Sequence, residues 1–392
     1  MPALNRKFVN IIEKGNSEMG ERTFAYYTAM IFAGIAATLI IQFSIRSSGT
    51  LSQREKNVFS TLFVCVALSA FCEWLGVCLQ GAGKETRVVH IAVKAIEFSV
   101  APLIAIFMAR VLSEKTHKAV FVLVGIHAVI ELLSGVFGFI YSVDANSVYT
   151  HARFYWIYIV SYLSAFLYGI IMIVLNAHKY QYAGIAFFFA IIAYMVCGLT
   201  VQLVNSWLRV DYLVLIFSSL MLYIFALEII QQTDKLTGLI NRRGYENYIR
   251  HIDKPCVIVF FDINDFKSVN DNHGHTFGDE RIREIGLAIK SVYFKYGKCF
   301  RFGGDEFCVI AEEKQRVFNI EELNAKFARI IKNQKESDPR CPSVAVGYAF
   351  FDPQQCSIIE KIEEADKMMY ENKKECKTAE NFISREYDFS GE

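Results

Sequence analysis

The sequence predicts an all-α bundle of transmembrane helices followed by a compact α/β domain. Apolar residues make up 53% of the 392 residues and the mean hydropathy is +0.28, both high for a soluble protein. Long apolar stretches recur as far as Ile230, where the hydropathy falls, and strand-like and helix-like segments alternate from there on. We therefore divide the chain into a polar N-terminal tail at 1–23, a transmembrane region at 24–230 and a cytoplasmic domain at 231–392.

Seven apolar stretches have the ~20 residues that a helix needs to cross a bilayer. They lie at 24–45, 58–79, 88–109, 119–141, 154–177, 183–204 and 212–230. The N-terminal tail has neither the apolar core nor the small-residue cleavage site of a signal peptide, so we expect the first stretch to be kept as a span.

The charges of the connecting loops predict the orientation. The loops after the first, third and fifth spans carry seven Lys and Arg in total, and the other three carry four. Because positive loops tend to stay in the cytoplasm, this difference places the N-terminus outside and the last domain in the cytoplasm. The basic tail argues for the opposite orientation, and six or eight spans are the alternatives to seven.

Several ionisable residues interrupt the spans, although charge inside a bilayer is costly. Among them are Glu73 in the second span, Lys94 and Glu97 in the third, and His127 and Glu131 in the fourth. One interpretation is a polar pocket open to the outside, for a small ligand or a pH signal. The other is a set of internal ion pairs that hold helices together. The sequence leaves both open.

Charge and cysteine content exclude other classes of function. The net charge is +1 and no segment concentrates positive charge, so we do not expect nucleic acid as a partner. Ten cysteines occur without a C-x-x-C pair, which argues against a structural zinc site. We expect free thiols and no disulfide.

The segment after Ile230 predicts four helices and four strands. We expect helices at 242–251, 277–294, 320–335 and 357–374, and strands at 256–262, 298–302, 307–312 and 344–350. The turn at 302–307 joins two of these strands as a hairpin. The junction at 231–233 is short, so it should transmit a movement of the seventh span better than a loose tether would.

The hairpin turn holds two glycines, Gly303 and Gly304, followed by Asp305 and Glu306. Glycine tolerates positive φ and lets a ligand approach the backbone, and adjacent acids can hold Mg²⁺. Asp262 ends a buried strand that could lie beside this hairpin, so two carboxylates would converge on a metal that binds phosphate. Lys267 would neutralise charge on a leaving pyrophosphate, although a strand ending in Asp also fits a simple helix cap.

From Asp234 onward the chain resembles the GGDEF family of bacterial diguanylate cyclases. Five motifs carry the resemblance, at 234–243, 262–267, 270–279, 301–307 and 365–370, and together they span about 40% of the chain. The resemblance implies a ferredoxin-like palm fold and the condensation of two GTP into cyclic di-GMP with release of two pyrophosphates. It also implies a homodimer, since each domain holds one GTP and two domains must face each other.

The resemblance assigns roles to individual residues. It implies metal binding (Mg²⁺, with Mn²⁺ as the alternative) by Asp262, the carbonyl of Ile263 and Asp305. Asp305 would also help to deprotonate the attacking 3′-hydroxyl, with Glu306 as a secondary candidate and Lys267 as the third catalytic residue. The implied substrate site consists of Phe266, Asn270, Asp279, Lys373 and Lys377. Asn270 and Asp279 would read guanine, which favours GTP over ATP. The two lysines would contact the triphosphate or belong to a solvated helix face.

Other motif residues are expected to be structural. His275 would orient its loop, Arg301 would pair with a nearby acid, and Asp234 and Arg242 would fix the junction helix. The sequence also departs from the family pattern. An Arg-x-x-Asp product-inhibition site is replaced by residues 294–297, Asn264 replaces a frequent aspartate, and Cys376 stands where glycine is common.

These inferences predict a sensor in the cell membrane whose cytoplasmic cyclase domain is controlled by its transmembrane region. The expected partners are GTP, a second copy of the chain through both regions, the lipid bilayer and a small extracellular or intramembrane ligand. The alternative is a catalytically silent receptor that binds GTP or a dinucleotide and signals through a protein partner. A transporter would require broken helices and repeat symmetry, which the sequence does not indicate.

Overall fold

A computed structural model gives the architecture of the protein. The structure describes residues 20–112, 117–177, 185–204, 209–312 and 318–389. The chain forms two compact units, Met1–Ile229 and Ile230–Glu392.

Long helices make up most of the first unit. In the described ranges they are α1 (Glu21–Ser47), α2 (Gln53–Leu79), α3 (Arg87–Leu112), α4 (Lys118–Phe137), α5 (Tyr155–Ala177), α6 (Ile185–Val204) and α7 (Asp211–Gln232). Six of them, α1 to α5 and α7, are long and apolar enough to cross a membrane. Among the described residues of α6, the apolar segment is shorter and runs over Phe189–Gly198. Seven crossings therefore stay a prediction.

Burial differs among these helices. The apolar segments of α2 and α3 are mostly buried, whereas few residues in those of α1, α4 and α5 are fully buried. The exposed side chains are large and apolar, for example Phe43, Leu132 and Trp156. An apolar outer surface around a buried centre is the arrangement that a lipid environment favours.

The fourth predicted span is shorter than expected, because the helix ends at Phe137. Gly138 adopts a left-handed conformation with φ 70° and donates its N–H to the carbonyl of Ser134, a common way to end a helix. A hairpin follows, in which β1 (Tyr141–Val143) pairs with β2 (Tyr149–His151). The prediction over 119–141 was wrong at its end because residues 139–141 are apolar and continue the hydropathy of the helix.

The second unit is an α/β domain, as predicted. Its helices are α8 (Arg242–Ile249), α9 (Phe266–His273), α10 (His275–Tyr293), α11 (Ile320–Ser337) and α12 (Ile358–Phe389). Its strands are β3 (Ile240–Asn241), β4 (Cys256–Ile263), β5 (Gly297–Arg301), β6 (Glu306–Glu312) and β7 (Val344–Phe351). The sheet has the order β3-β5-β6-β4-β7, with β3 parallel to β5 and the other pairs antiparallel. The four longer strands follow the ferredoxin-like order.

Both faces of the central strand β4 are buried. Val257, Val259 and Phe261 face the core with α10 and α11, and Ile258 and Phe260 face the core with α8 and α12. Because side chains alternate along a strand, Asp262 points to the same face as Phe260, toward α12.

Helix α12 lies directly on β7. A Cβ added to Gly347 would overlap the backbone of Ala365 and Met369, so only glycine allows this close approach. The contact fixes the part of α12 that carries Lys373 beside the end of β4.

Candidate functional site

The end of β4 and the hairpin between β5 and β6 bring the predicted metal-binding residues together. Asp262 is paired in register with Glu306, and the backbone N–H of Ile263 donates to the carbonyl of Asp305 at 3.2 Å. Asp262 is buried, and Asp305 and Glu306 are half-buried. The antiparallel pairing therefore places Asp262, Ile263 and Asp305 side by side at one edge of the sheet.

Acidic charge is concentrated at this edge. Burial raises the pKa of Asp305, and the negative charge of Asp262 raises it further. Burial and then the charge of Asp305 raise the pKa of Glu306 in the same way. The nearby cation is Lys373, whose Nζ lies 2.5 Å from Oδ1 of Asp262. A bound cation would relieve the repulsion that remains between Asp262 and Asp305.

The donor set fits a magnesium ion that also binds substrate. Two carboxylates and the carbonyl of Ile263 are hard oxygen ligands, and Mg²⁺ usually completes its shell with water and substrate phosphates. No group of three or more His, Cys, Asp or Glu that could hold a metal occurs in the described part of the chain.

Asn264 anchors the segment that follows Asp262. Its Nδ2 donates to Oγ of Ser343 at 2.8 Å, and its backbone N–H donates to the carbonyl of Ser343 at 2.9 Å. The side chain is buried, and its Oδ1 has no hydrogen-bond partner among the described residues. An amide in place of the frequent aspartate thus ties the end of β4 to the start of β7 without adding a third buried charge beside Asp262.

The glycine-rich turn is held by Arg301. Its Nη2 donates to the carbonyl of Gly304 at 2.8 Å, and its Nη1 lies 3.1 Å from both carboxylate oxygens of Asp234. Burial opposes the ionisation of Asp234, but hydrogen bonds from Thr237 and the Arg301 guanidinium hold its pKa below the usual value. The predicted pairing of Arg301 with a nearby acid is confirmed, and the acid is Asp234.

The two glycines of the turn matter because they lack a side chain, not because they adopt an unusual backbone conformation. Among the glycines of this unit, positive φ occurs at Gly238 and Gly274 but not at Gly303 or Gly304, so the turn does not use the tolerance of glycine for positive φ. A Cβ on Gly303 would overlap the carboxylate of Glu306, whereas a Cβ on Gly304 would meet nothing within 4 Å. The backbone at Gly304 is therefore open to an approaching ligand.

Asn270 and Asp279, the candidates for base recognition, lie on neighbouring helices. Asn270 is on α9 and Asp279 on α10, and the turn between the helices is made by Gly274 with φ 82°. A Cβ on Gly278 would overlap Oδ1 of Asn270 and approach the ring of Phe266 to 3.1 Å. Asn270 is half-buried and Asp279 exposed, so the pair lines a surface between the two helices.

The remaining predicted site residues take different positions. Phe266 begins α9 and packs against the core, and Lys267 is exposed one residue later. Lys373 contacts Asp262, as described above. His275 is exposed at the start of α10. Lys377 lies in the final part of α12, whose side chains are outside the described residues.

Arg242 does not fix the junction. It is exposed and pairs with Glu246 on its own helix at 3.0 Å, so that expectation was wrong. Asn241 and Arg243 take this role instead: Nδ2 of Asn241 donates to the carbonyl of Gln231 at 2.9 Å, and Nη1 of Arg243 donates to Oε1 of Gln231 at 3.2 Å. Asn241 also caps α8 by accepting from the N–H of Gly244. An Asn before a helix start is a cap signal that could have drawn attention to it.

The segment at 294–297 is structural. Tyr296 packs against the core, and a Cβ on Gly297 would overlap the backbone of Ile310 and Ala311. Phe294 and the required Gly297 take the positions of the arginine and the aspartate of the inhibition motif.

Comparisons with known proteins agree with this geometry. Residues 231–379 match the family model described as "Diguanylate cyclase, GGDEF domain". "Diguanylate cyclase VdcA" of Vibrio cholerae is 30% identical over 148 residues, covering 36% of this chain and 43% of that protein. "Cyclic di-GMP phosphodiesterase PdeR" of Escherichia coli is 42% identical over 90 residues, covering 22% of this chain and 14% of that protein.

Solved structures also resemble part of the chain. The GGDEF domain of DgcB from Caulobacter crescentus, determined in complex with c-di-GMP, is 25% identical, with a TM-score of 0.32. The match covers 36% of this chain and 90% of that domain. The chain spans less than half the length of the curated relatives named above, and the family match lies within its second unit.

Proposed function

Because residues 231–379 are a GGDEF domain, we propose that the chain is a membrane-bound diguanylate cyclase that condenses two GTP into cyclic di-GMP and two pyrophosphates. The observation that carries the proposal is the convergence of Asp262, Ile263 and Asp305 beside the open backbone of Gly304. A nucleoside triphosphate needs both metal ligands for its phosphates and free space beside them.

Two identical steps make the product. The 3′-oxygen of each GTP attacks the α-phosphorus of the other, the bond to the β-phosphate breaks, and pyrophosphate leaves. Asp262, the carbonyl of Ile263 and Asp305 would hold Mg²⁺ or Mn²⁺, which would supply positive charge to neutralise the phosphates. Asp305, whose pKa is raised, accepts the proton of the 3′-hydroxyl, with Glu306 as the second candidate.

The other site residues bind and orient the substrate. Lys267 and Lys373 offset negative charge on the triphosphate, and the surface between α9 and α10 holds the base. There Asn270 and the carboxylate of Asp279 recognise the guanine edge, where N1–H and the 2-amino group are donors that adenine lacks. Lys377 and Phe266 complete the proposed set.

The first unit would carry the cyclase in the cell membrane and control it. With seven crossings and the N-terminus outside, the second unit would lie in the cytoplasm. Helix α7 runs to Gln232 without a flexible linker, and Gln231 is held by Asn241 and Arg243, so a movement of α7 reaches the cyclase domain directly. The signal, a small ligand or a pH change, would shift a homodimer between two arrangements of its GGDEF domains.

A silent receptor is the second candidate. PdeR, which is named as a phosphodiesterase, shares 42% identity with this chain over 90 residues, so the domain also occurs in proteins with a different named activity. The retained metal-binding acids favour the cyclase, because a domain that only binds nucleotide does not need Asp262 and Asp305 together.

The test measures cyclic di-GMP formation by the purified full-length protein and two variants. Each protein is reconstituted in nanodiscs and supplied with GTP and Mg²⁺. Asp305→Asn should abolish cyclic di-GMP formation, because the amide neither binds the metal nor accepts the proton. The matched control Asp253→Asn changes an exposed aspartate outside the site and should keep the activity. Intact GTP binding without product in the unmodified dimer would favour the silent receptor.

A further inference from the structure

Three carboxylates are buried among the described residues of the first unit, those of Glu73, Glu97 and Glu131, and their partners differ. Glu73 pairs with Arg209 at 2.8 Å. Glu97 accepts from Lys94 at 2.8 Å and from the hydroxyl of Tyr212 at 3.2 Å. These contacts favour the structural interpretation for both residues, because each carboxylate has a cation.

Glu131 is the exception. Its side chain is 0% exposed, and neither carboxylate oxygen has a hydrogen-bond partner among the described residues. The nearest ionisable group is Nε2 of His127, 3.5 Å from Oε1. A buried carboxylate without a donor is strongly disfavoured in its charged form. Glu131 therefore holds a proton unless something else compensates its charge.

The N–H of His127 has an acceptor on the neighbouring helix α3. Pro102 lies inside α3 and has no N–H, so it leaves the carbonyl of Phe98, four residues earlier, without its helical hydrogen bond. Nε2 of His127 lies 3.3 Å from that carbonyl oxygen. The single N–H on Nε2 of a neutral His127 thus bridges α4 to the break in α3.

Groups on the surrounding elements do not replace this arrangement. Titratable side chains on the surrounding elements include His90, Lys94 and Glu97 on α3, Tyr141, Tyr149 and His151 in the hairpin, and Tyr155 and Tyr158 on α5. Of these, Tyr158 stacks on the ring of His127, and Tyr141, Tyr149 and Tyr155 lie within reach of the charge of Glu131. Lys94 is engaged with Glu97, and His90 contacts Ser147 at 3.0 Å. The phenols ionise only at high pH, so they do not compete with Glu131 for a proton near neutral pH.

We propose that His127 and Glu131 form a proton-binding site whose ionisation releases the contact across the break at Pro102. When Glu131 is protonated, the N–H of His127 bonds to the carbonyl of Phe98. When the outside pH rises, Glu131 loses its proton to water, and its carboxylate draws the N–H of His127 away from α3.

The site is connected to the output helix. Phe98 follows Glu97, which accepts the hydrogen bond from Tyr212 in the first turn of α7. A change in the bend of α3 at Pro102 therefore moves the partner of α7. The link to cyclase activity rests on the proposed function, but the proton-binding site itself does not.

Infrared difference spectra of the full-length protein in nanodiscs, recorded across a pH titration, test the site directly. We expect the C=O stretching band of a buried protonated carboxylic acid, which disappears as the pH rises. Glu131→Gln should remove this band, and Glu73→Gln, which changes a carboxylate paired with Arg209, should leave it in place. An unchanged titrating band in Glu131→Gln would overturn the proposal.

Pro102→Ala tests the coupling, and it keeps the proposal testable if Glu131→Gln does not fold. Alanine supplies the missing N–H to the carbonyl of Phe98, so the infrared band should remain while the pH response of cyclic di-GMP formation is lost. A pH response that persists in this variant would refute the coupling. A titrating band in a protein that makes no cyclic di-GMP at any pH would support the site and contradict the proposed function instead.

Discussion

Arg301 joins the glycine-rich turn to the first residues of the α/β domain through Asp234. One guanidinium nitrogen lies 3.1 Å from both oxygens of Asp234, and another donates to the carbonyl of Gly304 at 2.8 Å. Asp234 follows the end of α7 by two residues, and Gly304 precedes Asp305. The same side chain thus contacts the start of the domain and the residue before the proposed base.

Arg301→Lys should therefore reduce cyclic di-GMP formation. A lysine ammonium cannot make the fork-shaped contacts of a guanidinium, and each lost charge-assisted hydrogen bond costs about 1.5–3 kcal/mol. We expect at least a tenfold loss of rate, measured beside Arg242→Lys. Arg242 forms an exposed pair with Glu246, so this control should stay close to the unmodified protein.

The lowered pKa of Asp234 predicts how the junction responds to acid. Because the pKa is lower in the folded protein, the pair with Arg301 contributes its full stability above about pH 4 and loses it as the pH falls through the lowered pKa. Hydrogen exchange measured by mass spectrometry should show residues 234–240 losing protection over this range. In Asp234→Asn the protection should be weaker at neutral pH and should no longer follow the acid titration.

The raised pKa of Asp305 predicts a pH-dependent metal affinity. Protons compete with the metal for this carboxylate, and the competition begins at a higher pH than for an ordinary aspartate. Mn²⁺ binding, followed by electron paramagnetic resonance in the absence of nucleotide, should weaken as the pH is lowered through the raised pKa. Asp262→Asn should bind the ion far more weakly at every pH, and an affinity independent of pH would contradict the assignment.

Substitutions of Gly304 and Gly297 distinguish a glycine that leaves space for the ligand from one that allows close packing inside the protein. Gly304→Ala adds a methyl group where the protein leaves room, so thermal stability should be unchanged while GTP turnover falls. Gly297→Ala places a methyl group into the backbone of Ile310 and should lower the unfolding temperature. Full activity in Gly304→Ala would show that the nucleotide does not approach this backbone.

Asp279→Asn tests base recognition. The amide replaces a carboxylate that accepts from N1–H and the 2-amino group of guanine, so GTP affinity should fall about tenfold to a hundredfold. Inosine triphosphate, which lacks the 2-amino group, should lose less affinity than GTP on this substitution. Glu280→Gln changes the adjacent exposed acid and serves as the control. Equal losses in the two variants would point to a general charge effect.

Much of the second unit could be predicted from apolar patterning. The buried strands β4 and β6 were located to within one residue, because their runs are continuous and bounded by polar turns. Helix α9 and the two-residue strand β3 were missed, since both are short and polar. The hairpin of β1 and β2 was hidden by the apolar residues that follow Gly138.

The candidate site was predictable where its residues are close in sequence. Gly303, Gly304, Asp305 and Glu306 form one turn, and the strand that ends at Asp262 has a distinct pattern. The contact between Lys373 and Asp262 depends on the packing of α12 over Gly347, and no local pattern encodes a contact across 111 residues. Pro102 can be read directly from the sequence. The contact between His127 and the carbonyl of Phe98 depends on how two helices pack, which the sequence does not reveal.

The most direct measurement counts substrate and products in one sample of full-length dimeric protein in nanodiscs with GTP and Mg²⁺. The proposed reaction predicts that two GTP disappear for each cyclic di-GMP formed and that two pyrophosphates accumulate. Stoichiometric GTP binding without consumption would contradict the cyclase assignment and support a receptor.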